Sequence, residues 1–208
     1  MKEKISKTTI HPLFATPIYI TQLKRKFSNT EYKFIEKSKI KPQKNEGNIT
    51  SNENYILNTK SFSNLKKELA KMVKDYFHNV MSVSNDVDPY ITQSWLNYTD
   101  TNQYHHKHSH PNSIVSGVLY INVDKENDKI KFFKSDYQLI KLPVKEYNLW
   151  NSHSWWFPVE IGELFLFPSS LTHMVENKQG TNTRISLSFN TFVKGTIGVK
   201  KDLTELIL

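Results

Sequence analysis

The sequence predicts a mainly-β fold of the α+β class, with N-terminal helices packed on a C-terminal antiparallel β-core. The clearest helical pattern lies before Pro89, whereas short apolar or alternating runs separated by polar turns follow it. The aromatic residues are mostly Phe (12) and Tyr (10), which are enriched in strands. Several short strands at this spacing are typical of a sandwich or barrel rather than of alternating β/α units.

The length of 208 residues suits one domain with one substantial core. Within the single domain 1–208 we expect an N-terminal strand and helical layer (1–89), the β-core (90–195) and a C-terminal tail (196–208). The segment HPLFATPIYITQL at the start of the layer reads as an edge or irregular strand, because it contains two prolines.

A short helix is predicted over SNTEYKFIEKSKI, where Ser28 and Glu31 have the spacing of a capping box. Tyr32, Ile35 and Ile40 could share one face of this helix. The polar residues from 43 to 58 that follow read as a surface loop. We expect the part from about 45 to 58 to border the mouth of the β-core.

The segment FSNLKKELAKMVKDYFHNVM is the clearest helix, and its apolar residues recur at i, i+3 and i+4. This stripe should pack on a sheet, and it comprises Leu65, Leu69, Met72, Val73, Tyr76, Phe77 and Val80. The predicted strands after it are YITQSWLNY, SIVSGVLYINV, KIKFF, HSWWFPV, GELFLFP, THMVEN and TRISLSFNTFV.

Composition excludes several classes of protein. There are no cysteines, so disulfides and thiolate metal sites are excluded and any metal must be held by His, Asp, Glu or water. Lys and Arg (28) exceed Asp and Glu (20), but the lysines are scattered and form no arginine-rich block, so nucleic acid is not favoured as a partner. No apolar run approaches the length of a membrane span, and a cytoplasmic protein is expected.

The stretch YHHKHSHPNS places four of the eight histidines within six positions. In an extended segment His106, His108 and His110 would point to one side, and His105 would point to the other with Lys107 and Ser109. Taken alone, the stretch fits a metal site and an exposed histidine-rich loop equally well. We expect His105 and His153 to be surface residues.

A second part of the β-core strengthens the metal interpretation. His173 lies 65 positions after His108, just beyond a predicted strand, and Arg184 lies 11 positions after His173. Two ligands two residues apart on one strand, a third from a later strand and an arginine on the next strand could converge in a closed β-core. Together these intervals favour a metal site over a surface loop.

At these residues the sequence resembles the Fe(II)/2-oxoglutarate-dependent oxygenases, especially a branch found in bacteria and phages, with prolyl-hydroxylase-like features. HSHPNSIVSGVLYI and LFPSSLTHMVENKQGTNTRISLSFN carry the resemblance, which covers about residues 95 to 191, and PLFATPIYI carries it more weakly. It implies a double-stranded β-helix core of the jelly-roll or cupin type. It also implies a dioxygenase, most simply a hydroxylase, with Fe(II) and 2-oxoglutarate as cofactors and O2 as cosubstrate.

The resemblance implies a role for each matching residue. His108, His110 and His173 would hold the metal, and Arg184 would bind the distal carboxylate of 2-oxoglutarate. Ser186, Tyr120 and Tyr98 would add hydroxyl groups for the same cosubstrate. The common metal-binding triad of this family has two histidines and one carboxylate, and His110 stands at the carboxylate position. Ni, Co or Zn are therefore alternatives to Fe(II). Alternatively, His108 and His173 alone would bind the metal.

Two other functions remain open at this stage. A cupin-like three-histidine dioxygenase would bind its organic substrate on the metal and would not need Arg184. A non-catalytic β-helix domain would instead bind a partner on an aromatic rim, for which Trp155 and Trp156 are candidates. The prime substrate could be a peptide, a nucleobase or a metabolite. Residues 134–154 are expected at the mouth of the β-core. N-terminal edge strands could pair in a homodimer.

Overall fold

The structure is a computed structural model and describes residues 8–135, 140 and 142–208. Residues 134–154, which are expected at the mouth of the β-core, lie partly outside the described residues. Two helices are described, α1 (Asn29–Ile40) and α2 (Ser63–Asp75), and α2 continues into a π-helical turn (Tyr76–Val80). No helix in the described ranges is long and apolar enough to cross a membrane.

The described strands form two antiparallel sheets. In chain order they are β1 (Tyr19–Gln22), β2 (Gln43–Lys44), β3 (Ile49–Thr50), β4 (Val87–Thr99), β5 (His105–His108), β6 (Val115–Asn122), β7 (Lys129–Phe133), β8 (Ser154–Pro158), β9 (Glu163–Pro168), β10 (His173–Val175), β11 (Arg184–Ile197) and β12 (Leu206–Ile207). The larger sheet has the order β1-β9-β6-β11-β4-β3-β2, with β12 beside β11, and the smaller has the order β5-β10-β7-β8. The predicted mainly-β fold is therefore confirmed.

The larger sheet is covered on both faces. One face packs against the helices in a core that includes Leu69, Leu96 and Leu187, and the other packs against the smaller sheet through Tyr120, Phe132 and Phe167. Because β6 lies between these two layers, its residues from Val115 to Ile121 are all buried. A strand buried on both faces needs a continuous apolar run, which explains the sequence SIVSGVLYINV.

The helix α2 packs its stripe on the sheet as predicted, with Leu65, Leu69 and Val73 buried. Val80 at the end of the π-helical turn is exposed, which differs from the prediction. The α1 capping box is present, with the Ser28 side chain accepting from the Glu31 backbone N–H. The two helices together form the layer that covers one face of the larger sheet.

Two predictions in the N-terminal region are wrong. Only Ile35 of the three predicted α1 residues is buried, whereas Tyr32 and Ile40 are exposed. At 3.6 residues per turn, a residue five positions away lies about 140° around the helix, so Ile40 cannot share the face of Ile35. The predicted loop 43–58 contains the hairpin β2–β3, which extends the larger sheet beside β4, and Gly47 in its turn has a φ of 87°.

Candidate metal centre

Three histidines converge between the sheets at one end of the β-core. His108 ends β5 and lies directly opposite His173, the first residue of β10, and His110 follows two residues after β5. One ring nitrogen of each histidine lies within 4.8 Å of the others. The structure thus brings together the three residues that the sequence singled out.

Backbone carbonyls orient two of these rings. His108 Nδ1 lies 2.7 Å from the carbonyl oxygen of His106, and His173 Nδ1 lies 3.1 Å from that of Leu171. A carbonyl oxygen only accepts, so each Nδ1 carries the proton and each Nε2 keeps its lone pair. Such a bond on the far nitrogen is the usual support of a metal-binding imidazole.

Burial keeps the histidines neutral. Burial first, and neighbouring imidazoles second, lower the pKa of His173 to about 3 and that of His110 to about 4. The pKa of His108 is also lowered, again mainly by burial. Imidazole binds metals only in its neutral form, so the cluster is in the state that metal binding requires near neutral pH.

Aromatic rings enclose the histidines. Phe167 meets the His173 ring edge-on at a centroid distance of 4.7 Å, and Phe132 lies 6.1 Å from the same ring. Trp95 packs at 5.6 Å against His110. These rings limit the access of water to the inner side of the cluster, and Trp95 is a cavity wall as well as a packing residue.

The three histidines line a small cavity inside the β-core, which we call the inner cavity. The first residue of β11, Arg184, also lines it and is buried. Its Nη1 donates to Asp128 Oδ1 at 3.1 Å, and Lys178 Nζ lies 3.5 Å from Asp128 Oδ2. The side chains of Asp128 and Lys178 are 1% and 0% exposed. A cluster of two cations and one carboxylate thus lies behind the cavity.

The second terminal nitrogen of Arg184 is unusual. Nη2 is buried and has no hydrogen-bond partner among the described residues. Burial lowers the pKa of this guanidinium, and Asp128 opposes that effect. Lys178 also interacts with the carboxylate of Asp124 nearer the surface. A buried donor of this kind needs an acceptor, and an anion would satisfy it.

The three predicted hydroxyl donors divide into two groups. Ser186 and Tyr120 line the inner cavity, where they face each other across the β11–β6 pairing. The structure does not bring Tyr98 to the site, which corrects the expectation for it. Tyr98 points to the other face of β4, and its hydroxyl donates to the carbonyl of Ile35 at 2.7 Å. Residues in a strand alternate between faces, so Asn97 and Thr99 line the cavity and Tyr98 enters the helix-side core.

The prediction for His105 is also wrong. His105 pairs with Val175 and His108 with His173, so three steps along β5 match two steps along β10. This β-bulge breaks the alternation of faces. As a result, His105 lies beside the other histidines in the cavity wall and its ring stacks on His108 at 4.6 Å. His153 is exposed, as expected.

A wider, open cavity of about 500 Å³ lies outside the cluster and meets it at His108 and His110. Side-chain amides dominate its polar lining, with Asn45, Asn54, Gln93, Asn112 and Asn190. Asn45 and Asn54 belong to the segment that was expected at the mouth. No carboxylate side chain lines this cavity in the described part of the chain.

Sequence reasoning missed Asn97, Asp128 and Lys178. Asn97 Nδ2 donates to Ser188 Oγ at 2.9 Å, and its buried Oδ1 has no partner among the described residues. Its place between Leu96 and Tyr98 in an alternating strand was the available signal. Asp128 and Lys178 lie in polar turns that give no such signal.

Comparison with known proteins agrees with this geometry. Residues 93–190 match a family described as "Putative 2OG-Fe(II) oxygenase". No curated protein sequence matches the chain. The matched segment contains every residue of the three-histidine cluster together with Arg184.

Solved structures share the fold at low sequence identity. A Pseudomonas putida prolyl-4-hydroxylase is 11% identical, with 85% of this chain and 93% of that chain covered and a TM-score of 0.54. HygX from Streptomyces hygroscopicus, with nickel, 2-oxoglutarate and hygromycin B bound, is 10% identical, with coverage of 85% and 82% and a TM-score of 0.57. The α-ketoglutarate-dependent epimerase SnoN from nogalamycin biosynthesis is 9% identical, with coverage of 85% and 78% and a TM-score of 0.59.

These likenesses concern the fold, and they confirm the expected double-stranded β-helix. The family match covers nearly all of the β-core segment in which the sequence motifs lie. The resemblance to the Fe(II)/2-oxoglutarate oxygenases that the sequence indicated is therefore confirmed, in the family match and in the fold alike.

Proposed function

We propose that this protein is an Fe(II)- and 2-oxoglutarate-dependent hydroxylase. The observation that carries the proposal is the buried, unpartnered Nη2 of Arg184, which lies in the same inner cavity as three neutral imidazoles. A metal-binding cluster and a cation for a carboxylate are the two features that a chelating oxoacid such as 2-oxoglutarate requires.

Arg184 would bind the distal carboxylate of 2-oxoglutarate. Asp128 holds Nη1 and so orients the guanidinium, which leaves Nη2 for the incoming oxygen. Ser186 and Tyr120, which line the same cavity, would contribute hydroxyl groups.

His108, His110 and His173 would hold the metal through ring nitrogens that already face one another. All three ligands are neutral, so the site has one negative charge fewer than a triad with two histidines and one carboxylate, and it should hold Fe(II) less tightly. When bound, Fe(II) supplies the reactivity toward O2 that no side chain of the cluster has. The balanced reaction converts 2-oxoglutarate, O2 and a substrate C–H group into succinate, CO2 and the hydroxylated product.

The chain's own residues would position the reactants and exclude water. Phe132 and Phe167 pack on the inner side of His173, away from the open cavity. The prime substrate would approach through the open cavity, where Trp95 and the amide side chains offer a stacking surface and hydrogen bonds. This lining is compatible with a peptide, a nucleobase or a metabolite.

The first experiment is succinate formation from 2-oxoglutarate under air with added Fe(II) and without prime substrate. The wild type is compared with His173→Ala and Arg184→Ala, and exposed His153→Ala is the matched control. We expect turnover in the wild type and the control and at least a tenfold loss in the other two. Turnover that persists in Arg184→Ala would contradict the role proposed for Arg184. No turnover, with no 2-oxoglutarate-dependent thermal shift in the metal-loaded protein, would favour the cupin-like or the non-catalytic alternative.

A further inference from the structure

Two histidines of the histidine-rich stretch remain without a role in the proposed reaction. His105 and His106 lie next to His108, and one ring nitrogen of each lies within 4.8 Å of the others. The His106 and His108 rings are 4.6 Å apart, and those of His105 and His106 are 5.3 Å apart. The ring nitrogens of this group thus lie within the same 4.8 Å of one another as those of His108, His110 and His173.

The β-bulge between β5 and β10 creates this arrangement. In a regular strand His105 would face away from His106 and His108, and three imidazoles from four consecutive residues could not converge. The extra residue in β5 turns His105 toward its neighbours. The convergence is therefore a property of the pairing between two strands and not of sequence proximity alone.

A second observation concerns His106 itself. Its Nδ1 is buried and has no hydrogen-bond partner among the described residues. An unsatisfied buried nitrogen lowers stability, and a metal ion or a proton donor would satisfy it. The Asn45 amide lies 3.3 Å from His105 Nε2, so His105 already has a weak, exchangeable polar contact.

We propose that His105, His106 and His108 form a second, outer site for a divalent transition metal, which shares His108 with the inner site. The outer group lines the open cavity, whereas His173 lines only the inner one. A metal ion that arrives from solvent therefore meets all three histidines of the outer group in the open cavity, but only two of the inner group, His108 and His110. The proposal goes beyond the oxygenase function, because it requires neither 2-oxoglutarate nor turnover.

Sharing makes the two sites mutually exclusive. His108 Nδ1 is committed to the carbonyl of His106, so only Nε2 is available to a metal. One nitrogen lone pair binds one metal ion, and the chain therefore holds a single ion at either site. Imidazole-only sites favour Ni²⁺, Cu²⁺ and Zn²⁺ over Fe²⁺, and both sites consist of imidazoles only. An ion of this kind at the outer site would withdraw His108 from the inner one.

The test is a zinc titration of the metal-free protein against a chromophoric chelator. The inner site is removed by His110→Ala with His173→Ala, and the outer site by His105→Ala with His106→Ala. We expect one bound zinc ion in the wild type and in each double variant. Combining all four substitutions should weaken zinc binding at least tenfold, since losing only a supporting partner of a ligand already costs about 10- to 100-fold.

Controls separate ligand loss from damage to the fold. His153→Ala in the inner-deleted background should leave zinc affinity unchanged. A His105→Gln, His106→Gln pair should repeat the loss, and thermal unfolding without zinc should match that of the inner-deleted parent. Zinc binding that is absent from the inner-deleted variant, or that is unchanged when His105 and His106 are replaced in the inner-deleted variant, would overturn the outer site. Two zinc ions bound at once to the wild type would overturn the sharing of His108.

Discussion

Asp128 lies between Arg184 and Lys178 and forms an ion pair with each, at 3.1 Å and 3.5 Å. All three side chains are buried, so neither cation can be compensated by water. The carboxylate therefore has two effects: it stabilises a buried positive cluster, and it sets the direction of the Arg184 guanidinium. The consequences of removing it can be measured separately.

Asp128→Asn is expected to destabilise the protein by about 3–5 kcal/mol, because it leaves the buried Arg184 without a counter-charge and removes one counter-charge of the buried Lys178. Urea unfolding of the metal-free protein measures this loss. Glu126→Gln, an exposed change in the same turn, is the control and should cost less than about 0.5 kcal/mol.

Adding Lys178→Met to Asp128→Asn should recover part of the lost stability. The double variant retains one buried cation instead of two, and an apolar side chain of similar length replaces the lysine. A double-mutant cycle across the four proteins gives the coupling energy, which we expect to exceed about 1 kcal/mol. Additive effects of the two substitutions would contradict the contact between these side chains.

Tyr98→Phe should lower stability without changing the KM for 2-oxoglutarate, whereas Ser186→Ala should do the reverse. Tyr98 hydrogen-bonds Ile35 in the helix-side core, so its loss should cost about 1–2 kcal/mol of stability and leave the KM for 2-oxoglutarate unchanged. Ser186 lines the inner cavity, so its loss should raise that KM several-fold with little change in stability. Unfolding curves and succinate assays measure the two quantities, and a raised KM in Tyr98→Phe would show that the cavity extends to the other face of β4.

The acid stability of the helical layer should depend on Glu31. Burial alone would raise the pKa of Glu31, but hydrogen bonds from Arg25 and Ser28 hold it below its usual value. A carboxyl with a depressed folded-state pKa stabilises the protein above its unfolded-state pKa of about 4.3, and this contribution disappears as the pH falls through the folded-state value.

Glu31→Gln should therefore lower the free energy of unfolding by about 2 kcal/mol at pH 7, where two charged hydrogen bonds are lost. The difference from wild type should narrow as the pH falls below about 4. Urea unfolding between pH 3 and pH 7 measures it. A difference that stays constant over this range would mean that packing, and not the charge, accounts for the loss.

Gly117 tests how closely the sheet packs beside the cavity. A Cβ at this position would lie 2.2 Å from the Phe189 ring, so the ring would have to move. Gly117→Ala should cost about 1–3 kcal/mol through overpacking. Phe189→Leu in the Gly117→Ala background should relieve part of that cost, as thermal unfolding would show. Equal melting temperatures of Gly117→Ala and wild type would contradict the tight contact.

The sequence by itself determined the mainly-β class, the helix α2 and its buried stripe, and the candidate residues His108, His110, His173 and Arg184. Hydrophobic periodicity is a local property, so each helix and most strands could be predicted from neighbouring residues alone. The polar two-residue strands of the β2–β3 hairpin have no periodic signal, and only their pairing with β4 defines them.

Only the tertiary structure decided which residues share a cavity. The bulge that turns His105 inward depends on the register between β5 and β10, which no single strand encodes. Asp128, Lys178 and Arg184 come from two turns and a strand up to 56 positions apart, so their contact exists only in the folded chain. Alternation along a strand is a local rule, whereas the pairing of strands and the partners of buried charges depend on packing across the whole core.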